Sequence, residues 1–218
     1  RRFRLGSPTK VRLNNEARGL VPTSQWKLRR FGVRWQKGED LVTAIGQGFL
    51  LVTPIQMSVF YAAIANGGVL VKPRVVMRVE DADGEVVKNV QPEAFGKLDL
   101  NPSTLAFVQR ALEGVVQEPR GTGRAALLPD KLRGVRGAGK TGTAQVVRAP
   151  EDDEEVDESE VPYKFRDHAW FVAYAPAEAP EIVVTVLVEH GGHGGSAAAP
   201  LARPLMEAYF KSRPPSQV

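Results

Sequence analysis

The chain has no cysteine and only three histidines in 218 residues. The first absence excludes a disulfide framework, a cysteine zinc site and a thiol nucleophile, and the second leaves little for a His-rich metal centre. Long apolar runs are also missing: a strongly apolar one, Ile182 to Val188, is far short of the roughly 20 residues that span a bilayer. The chain opens RRFRLGSPTK, with neither an initiator Met nor an apolar signal core, so the expectation is an internal or C-terminal piece of something longer. What is present is ordinary for a folded protein: 43% hydrophobic and 25% charged residues, with 21 Gly and 16 Pro, which excludes disorder and collagen.

Charge is uneven. Net charge is +4, but residues 1 to 37 hold eleven Arg or Lys against one acid, Glu16, whereas Glu151 to Glu160 carries eight acids in ten residues. The basic head could face an anionic surface, yet it lacks the interleaved aromatics of a base-stacking platform, and nucleic acid is not expected as a partner. The acidic stretch, residues 151–160, reads as a solvated, mobile loop, because like charges at that density repel and cannot be buried.

Thr53 as N-cap, Pro54 in the first turn and Gln56 three residues after the cap predict a helix running to about Ala65, with Ile55, Val59, Ala62 and Ala63 on one stripe and Asn66, Gly67 and Gly68 stopping it. Val69 to Glu80 and Glu85 to Val90 are β-rich and flank Asp81, Ala82, Asp83 and Gly84, a hairpin signal. A second helix is predicted from Asn101 and Pro102 to near Pro119. Lys140 to Val147, Ala169 to Ala175 and Ile182 to Glu189 read as strands. The short link Pro176 to Pro180 makes the last two antiparallel neighbours. A closing helix, Ala197 to Phe210, carries Leu201, Leu205 and Tyr209 on one face. Together these predict an α+β fold, an antiparallel sheet flanked by helices.

Two chemistries compete for one lysine. Gly134 to Thr141 satisfies GxxxxGK[ST], a phosphate-cradling loop, but that loop needs a buried strand before it and a helix after it. Pro, Asp, Lys and Arg precede it, and β-prone residues follow. Read instead as a strand, Lys140, Thr141, Gly142 and Thr143 form an anion-recognition edge. Alternation sets Thr141 and Thr143 on one face, Lys140 adds charge, and Gly142 leaves room for a ligand backbone to pair as an added strand. A plain surface strand with a glycine is the simpler alternative.

KTGTA followed by QVV, RDHAWFVAYAP, EIVVTVLVEHGG and a terminal helix resembles the C-terminal half of a penicillin-binding protein transpeptidase domain. LGSPTKVRLNNEARGLVPTSQW, AIGQGFLLVTPIQM and IANGGVLVKPRVV are similar to segments of the class B enzymes, especially the elongation-type group. The resemblance spans residues 1–218, read as the C-terminal part of a single transpeptidase domain with the penicillin-binding protein/serine β-lactamase-like fold.

In that family SxxK supplies the nucleophilic Ser and its Lys, SxN assists proton transfer, and KTG binds the substrate carboxylate. The chain has no SxN. Its string Ser7, Pro8, Thr9, Lys10 lies where Gly6 and Pro8 break helices, so the catalytic Ser and Lys are expected upstream of Arg1. The resemblance implies that Lys140 and Thr141 hold the carboxylate of a D-Ala-D-Ala stem peptide or a β-lactam. Thr143 would add a hydroxyl contact, and its backbone N–H would be one oxyanion-hole donor beside that of the missing Ser. It further implies a serine-type DD-transpeptidase without metal or organic cofactor, anchored on the extracytoplasmic, periplasmic face of the membrane by a segment outside this chain, with an integral-membrane glycan polymerase as partner. A non-turnover β-lactam sensor is the alternative in another class. Gly46, Gln47 and Gly48 are expected to be structural. Trp170 and Phe171 are open between cleft wall and core, and His168 is read as a hydrogen-bonded structural residue sooner than a base. His190 and His193 are read as turn caps.

Overall fold

The computed structural model describes residues 2–132, 134–146 and 161–212; the acidic stretch 151–160, read above as a mobile loop, lies outside them. The chain divides into two compact units, residues 1–63 with 68–99 and residues 64–67 with 100–218. Among the described residues no helix is long and apolar enough to cross a membrane.

In the first unit, α1 (Ser24–Phe31) arises within the basic head and α2 (Lys37–Ala44) just after it, where no helix was expected. The start signal was there: the Thr23 hydroxyl accepts from the Trp26 N–H at 3.1 Å, and Gly32, at φ 72°, closes the helix. Lys27, buried on α1, donates to the Glu39 carboxylate of α2 at 2.6 Å. Glu39 also accepts from the Gln36 N–H in a capping box, and the Lys27 bond together with this one holds its carboxyl below the usual range. Gly46 and Gly48, both at positive φ, turn the chain out of α2, so the IGQG segment is structural here.

Helix α3 (Pro54–Ala65) begins as the capping box requires: Thr53 N–H donates to Gln56 Oε1 at 3.0 Å and Gln56 N–H to the Thr53 hydroxyl at 3.2 Å. Val59 and Ala63 join Leu70, Phe3, Phe95 and Leu98 in this unit's core. The Gln56 amide also reaches far in sequence, donating to the Ser7 and Arg18 carbonyls at 2.9 and 2.8 Å. Gln56→Ala leaves these carbonyls without their donor and is expected to cost about 2 kcal/mol. Urea denaturation measures it, and a loss below about 0.5 kcal/mol would show the clamp to be dispensable.

The hairpin is shorter than its sequence signal. Strands β2 (Arg78–Glu80) and β3 (Val86–Asn89) pair around the Asp81 turn, whose carboxylate accepts from Asp83 and Glu85. Strand β1 (Val69–Lys72) does not join them. It pairs with β4 (Glu93–Lys97), a strand the sequence reading missed, because Pro73 interrupts the apolar run and frees β1 for a separate ladder.

The second unit holds α4 (Pro102–Gln117), capped by Asn101, and the antiparallel sheet β5 (Ala138–Ala144), β6 (His168–Ala175) and β7 (Ile182–Val188) in that spatial order. The fold class is α+β, as expected. Ala169, Phe171, Ala173 and Ala175 of β6, one face by alternation, pack with Val116 of α4. They also meet Ala199, Ala202 and Met206 of α5 (Ala199–Lys211). The stripe Leu201, Leu205 and Tyr209 is not the buried one: Leu201 is 49% and Leu205 53% exposed. Alanines occupy the sheet-facing positions because a small side chain lets the helix backbone approach the strands closely, which periodicity cannot distinguish from a surface stripe.

Candidate functional site

The strand reading of Lys140 to Thr143 holds, within β5, and the nucleotide reading of Gly134 to Thr141 falls. Lys140 pairs with Val172, Thr141 with Phe171, Gly142 with Trp170 and Thr143 with Ala169, all within one antiparallel ladder, where a phosphate loop would need a helix leaving Lys140. Strand β5 is at one edge of the sheet, with no further strand paired to its other side among the described residues. Thr141 and Thr143 share a face by alternation, and the exposed Lys140 ammonium donates to the Thr141 carbonyl at 2.8 Å.

Two loops meet this strand. The first is Gly121 to Gly123, following α4. The Gly123 N–H donates to the Val115 carbonyl at 3.0 Å, and a Cβ on Gly123 would lie 2.6 Å from the Phe171 ring, so the loop is held between helix end and core. It delivers the Thr122 hydroxyl to 3.0 Å from that of Thr141. Thr122, between Gly121 and Gly123, was overlooked in the sequence. The second is a π-turn, Gly194–Ala198, leading into α5. A Cβ on Gly194 would overlap the Trp170 carbonyl and come to 2.6 Å from the Gly142 oxygen, and one on Gly195 to 2.5 Å from the Thr122 oxygen. Loop and strand therefore bring the Thr122 and Thr141 hydroxyls together beside close-packed backbone, and the Lys140 ammonium is held at the Thr141 carbonyl of the same strand, a set of groups suited to an anion.

The neighbouring aromatics separate. Phe171 is fully buried and belongs to the core, because its position in the ladder faces α5, whereas Trp170 on the opposite face is half-buried. His168 is structural: its Nδ1 accepts from the His190 N–H at 2.9 Å, and the rings lie 4.7 Å apart. His190, at φ 54°, has its own Nδ1 3.0 Å from the Arg166 carbonyl. His193 precedes the π-turn, its carbonyl accepting from the Ala197 N–H at 3.0 Å.

Neither serine string in the first unit is built as a nucleophile. Ser7 to Lys10 is not helical, Lys10 has φ 60°, and Thr9 between them is bound to Glu16. A second SxxK string, Ser24, Gln25, Trp26, Lys27, was overlooked in the sequence and does open α1. Its Lys27 ammonium is committed to Glu39 at 2.6 Å, so it is not poised to take a proton from Ser24.

An α+β unit with an anion-suited strand edge defines a class of ligand-binding domain without assigning its chemistry. The family model described as "Penicillin binding protein transpeptidase domain" matches residues 1–207, and the chain belongs to that family. It is 35% identical over 215 residues to the peptidoglycan D,D-transpeptidase MrdA of Haemophilus influenzae and 38% identical over 215 residues to that of Acinetobacter baumannii. Each alignment covers 98% of this chain, and the chain spans about a third of those relatives, 32% and 30%. Among solved structures it resembles Pseudomonas aeruginosa PBP2 in complex with WCK 5153, with TM-score 0.74 and 33% identity over 95% of this chain and 42% of that one. It also resembles the Helicobacter pylori PBP2 complex with MreC, with TM-score 0.70 and 33% identity over 96% of this chain and 35% of that one.

Proposed function

We propose that the chain is the C-terminal part of a peptidoglycan DD-transpeptidase of the elongation type and supplies its substrate-carboxylate strand. The observation that carries this reading is the edge strand Lys140 to Thr143, its ammonium and hydroxyls supported by Thr122, in a chain of the transpeptidase family. A serine outside residues 1–218 attacks the carbonyl of the penultimate D-Ala of one stem peptide. The terminal D-Ala leaves as the amine, and an amine of a neighbouring strand then takes the acyl group. Lys140 and Thr141 hold the carboxylate of that terminal residue, or of a β-lactam in its place. Gly142 keeps the strand narrow, and Thr143 contributes its hydroxyl and an oxyanion-hole N–H. The complete protein works at the periplasmic face of the membrane with a glycan polymerase. The complex of the Helicobacter pylori relative with MreC supports a further protein partner.

Mass-spectrometric mapping of the complete protein after penicillin treatment tests the assignment. The adduct is expected on a serine outside residues 1–218, with Ser7→Ala and Ser24→Ala labelled at the wild-type rate. An adduct on Ser7 or Ser24 would overturn the placement of the nucleophile, and no adduct at all would overturn the enzyme class. Cross-linking of stem peptides separates a transpeptidase from a sensor that is acylated without turnover.

A further inference from the structure

In the first unit, strands β1 to β3 and the loop around Val11 enclose a cleft of about 270 Å³ that the transpeptidase reading leaves without a role. We propose that this cleft docks an acidic stretch of a partner polypeptide, anchored by apolar side chains. Its floor is valine: Val11 is buried, whereas Val75, Val76 and Val79 are 62%, 46% and 45% exposed. Single exposed apolar residues are ordinary, but a contiguous group lining one concavity marks an interaction surface.

The rim is cationic. Lys10, Arg12, Lys72, Arg74 and Lys88 line the cleft against one carboxylate, Glu93. That carboxylate is already taken by Lys72, 2.6 Å away. Lys10, Arg74 and Lys88 have no side-chain partner among the described residues. The hairpin acids Glu80, Asp81, Asp83 and Glu85 do not line it. The loop is also held in shape: Lys10 and Arg12 both have positive φ, which brackets the buried Val11, and Glu16 accepts from the Thr9 hydroxyl and the Lys10 N–H. Non-glycine residues adopt that conformation at a cost, and here it sets two cations beside the valines.

Size and shape select the occupant. At about 270 Å³ the cleft lies at the small end of the roughly 300 to 1,000 Å³ of small-ligand sites, room for one or two side chains of a longer chain. An anionic membrane would be gripped by apolar groups that protrude, and these line a hollow. Unpaired cations around an apolar floor complement a segment in which carboxylates alternate with aliphatic side chains.

The test is fluorescence anisotropy of a labelled synthetic peptide of alternating Glu and Leu with the complete protein. The expected result is binding that weakens with added salt and falls about tenfold in R74E/K88E. It should fall several-fold in Val79→Ser, while melting temperature and penicillin acylation stay at wild-type values in both variants. Should R74E/K88E not fold, Lys88→Gln is expected to weaken binding about threefold. No binding to the wild type, equal binding of a Lys and Leu peptide, or wild-type affinity in the charge variants would each overturn the proposal. So would preference for phosphatidylglycerol vesicles over the peptide, which would make the cleft a membrane contact. Because penicillin acylation is read separately, failure of the docking proposal and failure of the transpeptidase reading are distinguishable.

Discussion

Lys140→Ala in the complete protein should lose most of its reactivity toward a fluorescent penicillin, with the acylation rate constant down roughly 30- to 1,000-fold, the equivalent of about 2 to 4 kcal/mol. The β-lactam carboxylate would enter a partly dehydrated edge with no charge partner. Lys140 is exposed and, among the described residues, its ammonium is bonded only to the Thr141 carbonyl, so the melting temperature should stay within a few degrees. Thr141→Val is expected to cost less, about tenfold, because one hydroxyl is lost and Thr122 keeps the other. Stopped-flow or gel-based labelling reads both, and a Lys140→Ala rate within about threefold of wild type would sink the carboxylate role.

Gly194→Ala should damage fold and function together. The added methyl would overlap the Trp170 carbonyl and press on the Gly142 backbone, atoms fixed by the β5–β6 ladder, so the π-turn must lift off the sheet. Overpacking against backbone costs about 3 kcal/mol, which for a protein of this size lowers the melting temperature by roughly 6 to 12 °C. Acylation should fall as well, since the turn also abuts Thr122 and Thr141. Gly38→Ala is the control: it sits in α2 with nothing within 4 Å of the new methyl and is expected to gain about 0.5 to 1 kcal/mol of helix stability. Calorimetry on both variants decides it, and a Gly194→Ala protein that melts like the control would show that the turn yields freely.

Local rules read some elements well and misread others for identifiable reasons. The cap residues Thr53 and Asn101 placed α3 and α4 because capping is a bond between near neighbours, complete within one turn. The same kind of signal at Thr23 and Gly32 was present and passed over behind the charge of the head. Strand β4 could not be read this way, since Glu93 to Lys97 becomes a strand only through its pairing with β1, some 20 residues earlier in the chain. The buried face of α5 was hidden likewise: Ala202 and Met206 win over Leu201 and Leu205 through the shape of the sheet they meet.

The sequence by itself determined the family, the α+β class and the strand that carries Lys140, Thr141, Gly142 and Thr143, because residue order, β-propensity and alternation are properties of contiguous chain. Only the tertiary structure decided what surrounds that strand. Thr122 reaches Thr141 from 19 residues away, and Gly194 lies against Gly142 across the sheet. Phe171 goes to the core while its neighbour Trp170 faces the other side. Each of these depends on which backbones approach closely enough to exclude a side chain, a condition set by packing among segments distant in sequence and by no one segment alone.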